Sequence, residues 1–210
     1  YREIMFWDEN FAVNEKWVAQ FCDLLDARNI RIPWTCEGYV KTMTEPMLRR
    51  MAASGCYNIF LGIESGNQEL LDLINKGTTL DDARRGVAMA RKAGMEIRAS
   101  FILGLPRETP EMSRTTVEFA CELNPDYVNF VPYHVWPGTP LEKLALEEGT
   151  NYGFGVNFLE PSYIPNTYES KAQLREMLHF AYRRFYTRPR HIARMASRAW
   201  RPAMLRRYYA

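Results

Sequence analysis

Short apolar runs rich in β-branched and aromatic residues alternate with longer amphipathic stretches along most of this chain. The alternation predicts strands and helices in turn. Residues 3–7, 31–36, 57–63, 95–103 and 127–133 read as strands. Residues 14–29 read as a helix with Trp17, Phe21, Leu24 and Leu25 on one stripe. Thr44 offers a cap with Pro46 in the first turn, and Gly55 lies past the end of that helix. A helix over 67–75 follows, then one that starts at Thr79 and stops at Ala93-Gly94. Thr109-Pro110-Glu111 and Thr139-Pro140 each open a further helix, the second ending at Gly149. Residues 152–168 are loop-like, 169–186 are helical in pattern, and a basic helix follows the break at Pro189.

Five strands are thus each followed by a helix, with no hairpin signal between them. That order predicts a parallel sheet, because right-handed crossovers lay each helix on the outer face. A doubly wound sheet and a barrel both satisfy it. In either, ligands bind at the carboxyl ends of the strands. Those ends here read Asp8-Glu9, Gly62-Ile63-Glu64-Ser65-Gly66, and Gly104-Leu105-Pro106-Arg107-Glu108-Thr109. Acids at three matching topological positions can bind a metal, work as an acid/base pair or hold a cationic, hydroxyl-bearing ligand. Capping of the following helices is their plain structural use.

Composition narrows the class. In 210 residues, 47% are hydrophobic and 25% charged, which excludes a disordered or low-complexity chain. No apolar run reaches the roughly 20 residues that span a bilayer. Four cysteines in a chain of this size predict reduced thiols and a cytoplasmic setting. The net charge of +2 conceals an asymmetry: from Arg175 onward ten arginines face only Glu176, a net +9 that leaves −7 for the rest. The chain opens at Tyr1 directly in an apolar segment, as a piece of a longer protein would.

Several blocks in register resemble one family. Ile63-Glu64-Ser65-Gly66 with Leu71, Lys76-Gly77 and Ala93-Gly94, then Phe101-Ile102-Leu103-Gly104-Leu105-Pro106 with Glu108-Thr109, then Pro137-Gly138-Thr139-Pro140-Leu141, are similar to the radical S-adenosylmethionine core. The likeness runs from about Ile4 to Gly149. Phe6-Trp7-Asp8-Glu9-Asn10-Phe11, Trp34 with Cys36, and Arg183-Arg184-Phe185-Tyr186 with Arg188-Pro189 are similar to the subgroup that carries a cobalamin-binding domain ahead of the core.

The resemblance implies a partial parallel (β/α)6 TIM-like barrel, here without its first strand, followed by a helical C-terminal extension. Residues 1–150 would be the core (strands two to six), 151–168 a linker and 169–210 the basic extension. It also implies S-adenosylmethionine, a 4Fe-4S cluster whose Cys-x-x-x-Cys-x-x-Cys ligands lie outside this chain, and a cobalamin domain outside it as a further option. A small-molecule substrate and an electron donor such as flavodoxin or ferredoxin complete the set.

By position, Asp8 and Glu9 would meet the methionine amino group. Glu64 and Ser65 would meet the ribose and methionine part, and Gly104, Leu105 and Glu108 the adenine side. Cleavage of the cofactor would yield a 5′-deoxyadenosyl radical that attacks an unactivated C–H, for methylation, cyclisation or a related change in cofactor, lipid or secondary-metabolite biosynthesis. The fragment alone would be inactive. A methylthiotransferase-like enzyme acting on tRNA and a non-catalytic barrel that binds a membrane or protein partner are the alternatives.

Other features depart from this pattern or stand beside it. Cys22, Cys36, Cys56 and Cys121 are 14, 20 and 65 residues apart, which is no cluster motif. Buried inert thiols are the expectation for Cys22, Cys56 and Cys121; Cys36 shares a strand face with Trp34, where packing is the stronger expectation and a thiol looking into a barrel the alternative. Tyr39 stands where many relatives carry arginine. His134 is expected to be structural, His179 and His191 have no partner spacing for zinc, and Trp7, Tyr133 and Trp136 suit either ring stacking or barrel filling. The basic tail suits closure of the barrel side, an anionic membrane surface that would make the protein membrane-associated, or, as the lesser fit, nucleic acid.

Overall fold

The computed structural model describes residues 2–153 and 157–199. Five strands form one parallel sheet in sequential order: β1 (Ile4–Met5), β2 (Trp34–Gly38), β3 (Cys56–Glu64), β4 (Glu96–Leu103) and β5 (Tyr127–Pro132). The sheet curls into a half-barrel with helices on its convex side, as the βα alternation predicts. The crossovers carry α1 (Glu15–Ala27), α2 (Glu45–Ala53), α3 (Gln68–Leu73), α4 (Leu80–Lys92) and α5 (Pro110–Leu123).

Local signals set the helix starts. Asn14, Thr44, Thr79 and Thr109 each accept a hydrogen bond from a backbone N–H in the first turn. Thr79 and Asp82 form a reciprocal capping box. On α1 the buried stripe is Val18 and Cys22 with Phe21 and Leu25 beside them; Trp17 and Leu24, expected on that stripe, stand at the surface.

The convex side is a continuous apolar core. Ile59, Leu61 and Ile63 of β3 and Ile97, Ala99, Phe101 and Leu103 of β4 pack with Leu48, Met51, Val87, Ala90, Val117 and Ala120 of the helices. Trp34 and Cys36 belong to this side too. Trp34 meets Phe6 and Phe21 edge-on at 5.6 and 5.5 Å, and Cys36 is buried beneath the helices, so its thiol does not look into the barrel. Cys22 and Cys56 are likewise buried, whereas Cys121 is half-buried.

Beyond β5, α6 (Pro140–Glu147) runs into β6 (Gly149–Asn151), which pairs antiparallel with β7 (Tyr163–Pro165). The segment read as a linker therefore holds a strand of its own, anchored by Tyr163, whose ring meets Tyr133 edge-on at 5.4 Å. The last helices are α7 (Lys171–Tyr186) and α8 (Pro189–Ala199). Leu174, Met177, Leu178, Ala181 and Phe185 of α7 join the same core as the sheet. Tyr182 and Tyr186 tie α7 to the sheet: the Tyr182 hydroxyl accepts from Phe130 N at 3.1 Å, and the Tyr186 hydroxyl donates to Val128 O at 3.0 Å.

Candidate functional site

The concave side of the sheet is lined by polar groups. Glu37 of β2, Phe60, Gly62 and Glu64 of β3, and Ser100 of β4 enclose a cleft of about 150 Å³ near the carboxyl ends of the strands, with Glu9, Gly38, Tyr39 and Lys76. Three of these nine residues are acids and one is a base. This is the end of a parallel barrel at which ligands bind.

Glu64 ends β3 with φ +70, a left-handed conformation that costs a non-glycine residue about 1–3 kcal/mol. The turn brings its carboxylate back over the strand, where Oε1 accepts from Lys76 Nζ at 2.8 Å. Gly62 is what leaves the room. A Cβ there would overlap Glu64 Oε1 and lie 3.0 Å from Lys76 Nζ. Tyr39 braces the loop that carries the lysine, its hydroxyl donating to Lys76 O at 2.8 Å. Lys41 Nζ donates to the next carbonyl, Gly77 O, at 2.6 Å.

Glu37 faces Glu9 across the cleft. Burial pushes its carboxyl above the ordinary value; Arg98 opposes the shift, and the charges of Glu9 and Asp8 add to it. Its neighbours thus leave Glu37 with unmet demand for positive charge. A ligand ammonium or sulfonium would meet it.

The residues expected at the site fall into two groups. Glu9 and Glu64 line the cleft. Asp8 does not; it accepts from Asn10 N at 3.0 Å in the loop and acts on the cleft only through its charge on Glu37. Ser65 is fully buried, with its hydroxyl 3.3 Å from Thr116 Oγ1 and accepting from Asn67 N at 3.1 Å.

Gly104, Leu105 and Glu108 close a turn. Gly104 has φ +79, Leu105 N donates to Glu108 Oε2 at 2.8 Å, and Ser113 Oγ donates to Glu108 Oε1 at 2.6 Å. Glu108 is 0% exposed, and burial pushes its carboxyl up to about 7. Its carboxylate is spent on the turn and does not reach the cleft.

Glu37, Phe60, Lys76 and Ser100, with Gly38, Tyr39 and Gly62, are the lining residues that the expected set lacks. Alternation along β2 carries the signal for Glu37, since Trp34 and Cys36 point outward. Lys76 has no periodic signal; it reaches Glu64 through a loop. His134 is structural as expected, with its ring nitrogens 2.5 Å from Ser162 Oγ and 3.0 Å from Phe158 O.

The sequence profile described as the Radical SAM superfamily matches residues 1–120. The chain belongs to the radical SAM superfamily. That family of enzymes uses S-adenosylmethionine and a 4Fe-4S cluster. The chain is 32% identical over 193 residues to an uncharacterized methyltransferase of Pyrococcus horikoshii, covering 90% of this chain and 42% of that protein. It is 29% identical over 182 residues to the anaerobic magnesium-protoporphyrin IX monomethyl ester cyclase of Rubrivivax gelatinosus, covering 85% and 33%.

Among solved structures, the fold is similar to the radical S-adenosylmethionine methyltransferase TsrM of Kitasatospora setae, determined with cobalamin and a 4Fe-4S cluster bound. The TM-score is 0.62 at 20% identity, over 84% of this chain and 37% of that one. The chain therefore spans between 33% and 42% of the length of these proteins.

The cleft suits the amino-acid end of S-adenosylmethionine. Glu9, Glu37 and Glu64 carry the charge that would answer an ammonium and a sulfonium, and Lys76 the charge that would answer a carboxylate. The cluster finds no such fit. Among the described residues no group of three or more His, Cys, Asp or Glu is placed to hold a metal ion, and the cysteines pack on the convex side or in helices.

Proposed function

We propose that this chain is the S-adenosylmethionine-binding half-barrel of an enzyme that modifies an unactivated C–H of a small molecule, by methylation, cyclisation or a related step. The carrying observation is the concave cleft in which Glu9, Glu37 and Glu64 face Lys76 at the carboxyl ends of the strands. A volume of about 150 Å³ is below the 300–1,000 Å³ typical of whole-ligand sites, so it matches a methionine head group, with the nucleoside lying along the open sheet. The cofactor supplies one-electron chemistry when bound beside a cluster. This chain's residues bind and orient it: acids hold the cationic end, and the Lys76 ammonium, steadied by Glu64, takes the carboxylate. Ser65, Gly104, Leu105 and Glu108 shape the turns that bound the cleft.

Names of relatives that are a methyltransferase and a cyclase support this class of reaction, and likeness to a cobalamin-bound methyltransferase supports cobalamin in the whole protein. The tail favours a structural use. Arg184 pairs with Glu118 at 2.7 Å, Arg175 with Glu160 at 2.7 Å, and Arg194 Nη1 donates to Asn124 O at 2.6 Å. Among the described residues no helix is long and apolar enough to cross a membrane.

Titration with S-adenosylhomocysteine, followed by calorimetry and amide shifts, tests the proposal. Saturable binding that moves Glu37, Gly62 and Glu64 is the expected result. Binding that leaves those three unmoved overturns it.

A further inference from the structure

Below the cleft, the concave face opens into a larger hollow of about 520 Å³, lined by Thr35, Asn58, Arg98 and Asn129 among others. Strand register places Glu37, Phe60, Arg98 and Tyr127 in one row across β2, β3, β4 and β5. With strands about 4.8 Å apart, Arg98 stands roughly 10 Å from Glu37 on the opposite side of the row.

Arg98 is held but not satisfied. Its guanidinium lies over the Phe60 ring, 5.0 Å from the centroid, which fixes its plane. Its Nε is buried and has no hydrogen-bond partner among the described residues. A buried donor without an acceptor costs about 1–3 kcal/mol, so a site that keeps one is a site awaiting an acceptor. The charged and titratable groups around it are Glu37 on β2, Glu96 two residues earlier on its own strand, and Glu3, Tyr57, Tyr127 and Tyr186 in the same hollow. Glu3 is engaged by the Tyr57 hydroxyl, and Arg98 reaches Glu37 only at Coulombic range. The Asn129 amide faces the hollow from β5.

We propose that Arg98, with Asn129 beside it, is the subsite that receives an anionic oxygen group of the substrate, a carboxylate or a phosphate. A guanidinium fixed in plane presents paired N–H donors that match either group, and Asn129 adds a neutral donor. The substrate is then an acidic small molecule whose charged end is held on the β4–β5 side. The cofactor's cationic end lies on the acidic β2–β3 side, which puts the reacting carbon between them. This rests on the reading of the concave face as the reaction chamber.

The test titrates the purified chain, without cofactor, with inorganic phosphate and separately with succinate at constant ionic strength, and follows backbone amide and arginine side-chain shifts. Saturable shifts at Arg98 and Asn129 are expected, weakened at least tenfold in Arg98→Met and severalfold in Arg98→Lys. Saturation by phosphate alone assigns a phosphate group, and saturation by succinate alone a carboxylate. No saturable shift with either anion in the wild-type chain overturns the proposal, as does equal affinity in a folded Arg98 variant. If Arg98→Met does not fold, Arg98→Lys decides. S-adenosylhomocysteine titrated in parallel separates the two readings: its failure with phosphate or succinate still bound removes the cofactor assignment and leaves the anion subsite standing.

Discussion

Lys76 and Glu64 form a 2.8 Å ion pair across the space that Gly62 leaves open, so three residues from one strand and the loop after α3 make a single charged unit. Both side chains are mostly buried, at 24% and 15% exposed, which makes the pair less screened than a surface one. A methyl group at position 62 would overlap the carboxylate and crowd the ammonium. Gly62→Ala should therefore weaken S-adenosylhomocysteine binding at least tenfold, about 1.4 kcal/mol, while the chain stays folded. Calorimetry with a circular-dichroism melt checks it. Unchanged affinity would show that the pair lies outside the ligand's reach.

Glu37 gives a pH signature. Burial raises its carboxyl above the ordinary value, Arg98 works against that rise, and Glu9 and Asp8 add to it. A carboxylate that binds an ammonium must be ionised. Affinity for S-adenosylhomocysteine should therefore fall with falling pH, beginning above the range of an ordinary glutamate. Arg98→Met removes the opposing charge and should move the fall to still higher pH, whereas Glu37→Gln should abolish it. Carboxyl-carbon NMR titration of Glu37 in the wild type and in Arg98→Met reads the shift directly.

The strand–helix order was legible in the sequence because caps and stops such as Thr79, Gly94 and Thr109-Pro110 are local. The site was legible only in part. The acids Glu9 and Glu64 follow from their place at strand ends. Glu37 lay one residue past the point where the apolar run of β2 breaks off, and its strand in fact continues to Gly38. Lys76 is positioned by tertiary bonds from Tyr39 and Lys41, which no local pattern announces. Glu108 shows the converse: a motif acid at a strand end turned inward because the buried N–H of Leu105 and the Ser113 hydroxyl needed an acceptor.

The arginines of the tail divide by burial. Arg188 Nε donates to Phe185 O at 2.9 Å, Nη1 to Cys121 O at 2.5 Å and Nη2 to Asn124 Oδ1 at 3.2 Å, and its guanidinium lies 4.2 Å from the Phe185 ring centroid. Its loss leaves carbonyls at the end of α5 without their partner. Arg188→Ala should cost about 1–3 kcal/mol by denaturant melt. Arg184→Ala, which breaks a surface pair with Glu118, should cost no more than about 1 kcal/mol. Equal costs would mean that α7 and α8 are held by charge in general rather than by these carbonyl bonds.

Glu108 links the turn after β4 to overall stability. Its carboxyl is raised from 4.5 to about 7 by burial, against the hydrogen bonds from Ser113, Leu105 and Gly104 that favour the ionised form. The folded chain therefore binds this proton more tightly than the unfolded one. The sign follows: the contribution of Glu108 to stability is full below about pH 4.5 and is lost as pH rises through about 7. A shift of this size is worth about 3 kcal/mol between the two limits.

Tyr168 extends the network, its hydroxyl donating to Ser113 Oγ at 2.7 Å, so the cost of ionising Glu108 is the burial of its charge and not a lost hydrogen bond. Glu108→Gln stays neutral throughout and should flatten the fall in denaturation midpoint between pH 5 and 8. A wild-type midpoint that does not fall over that interval, or one that falls equally in Glu108→Gln, would place the responsible proton elsewhere.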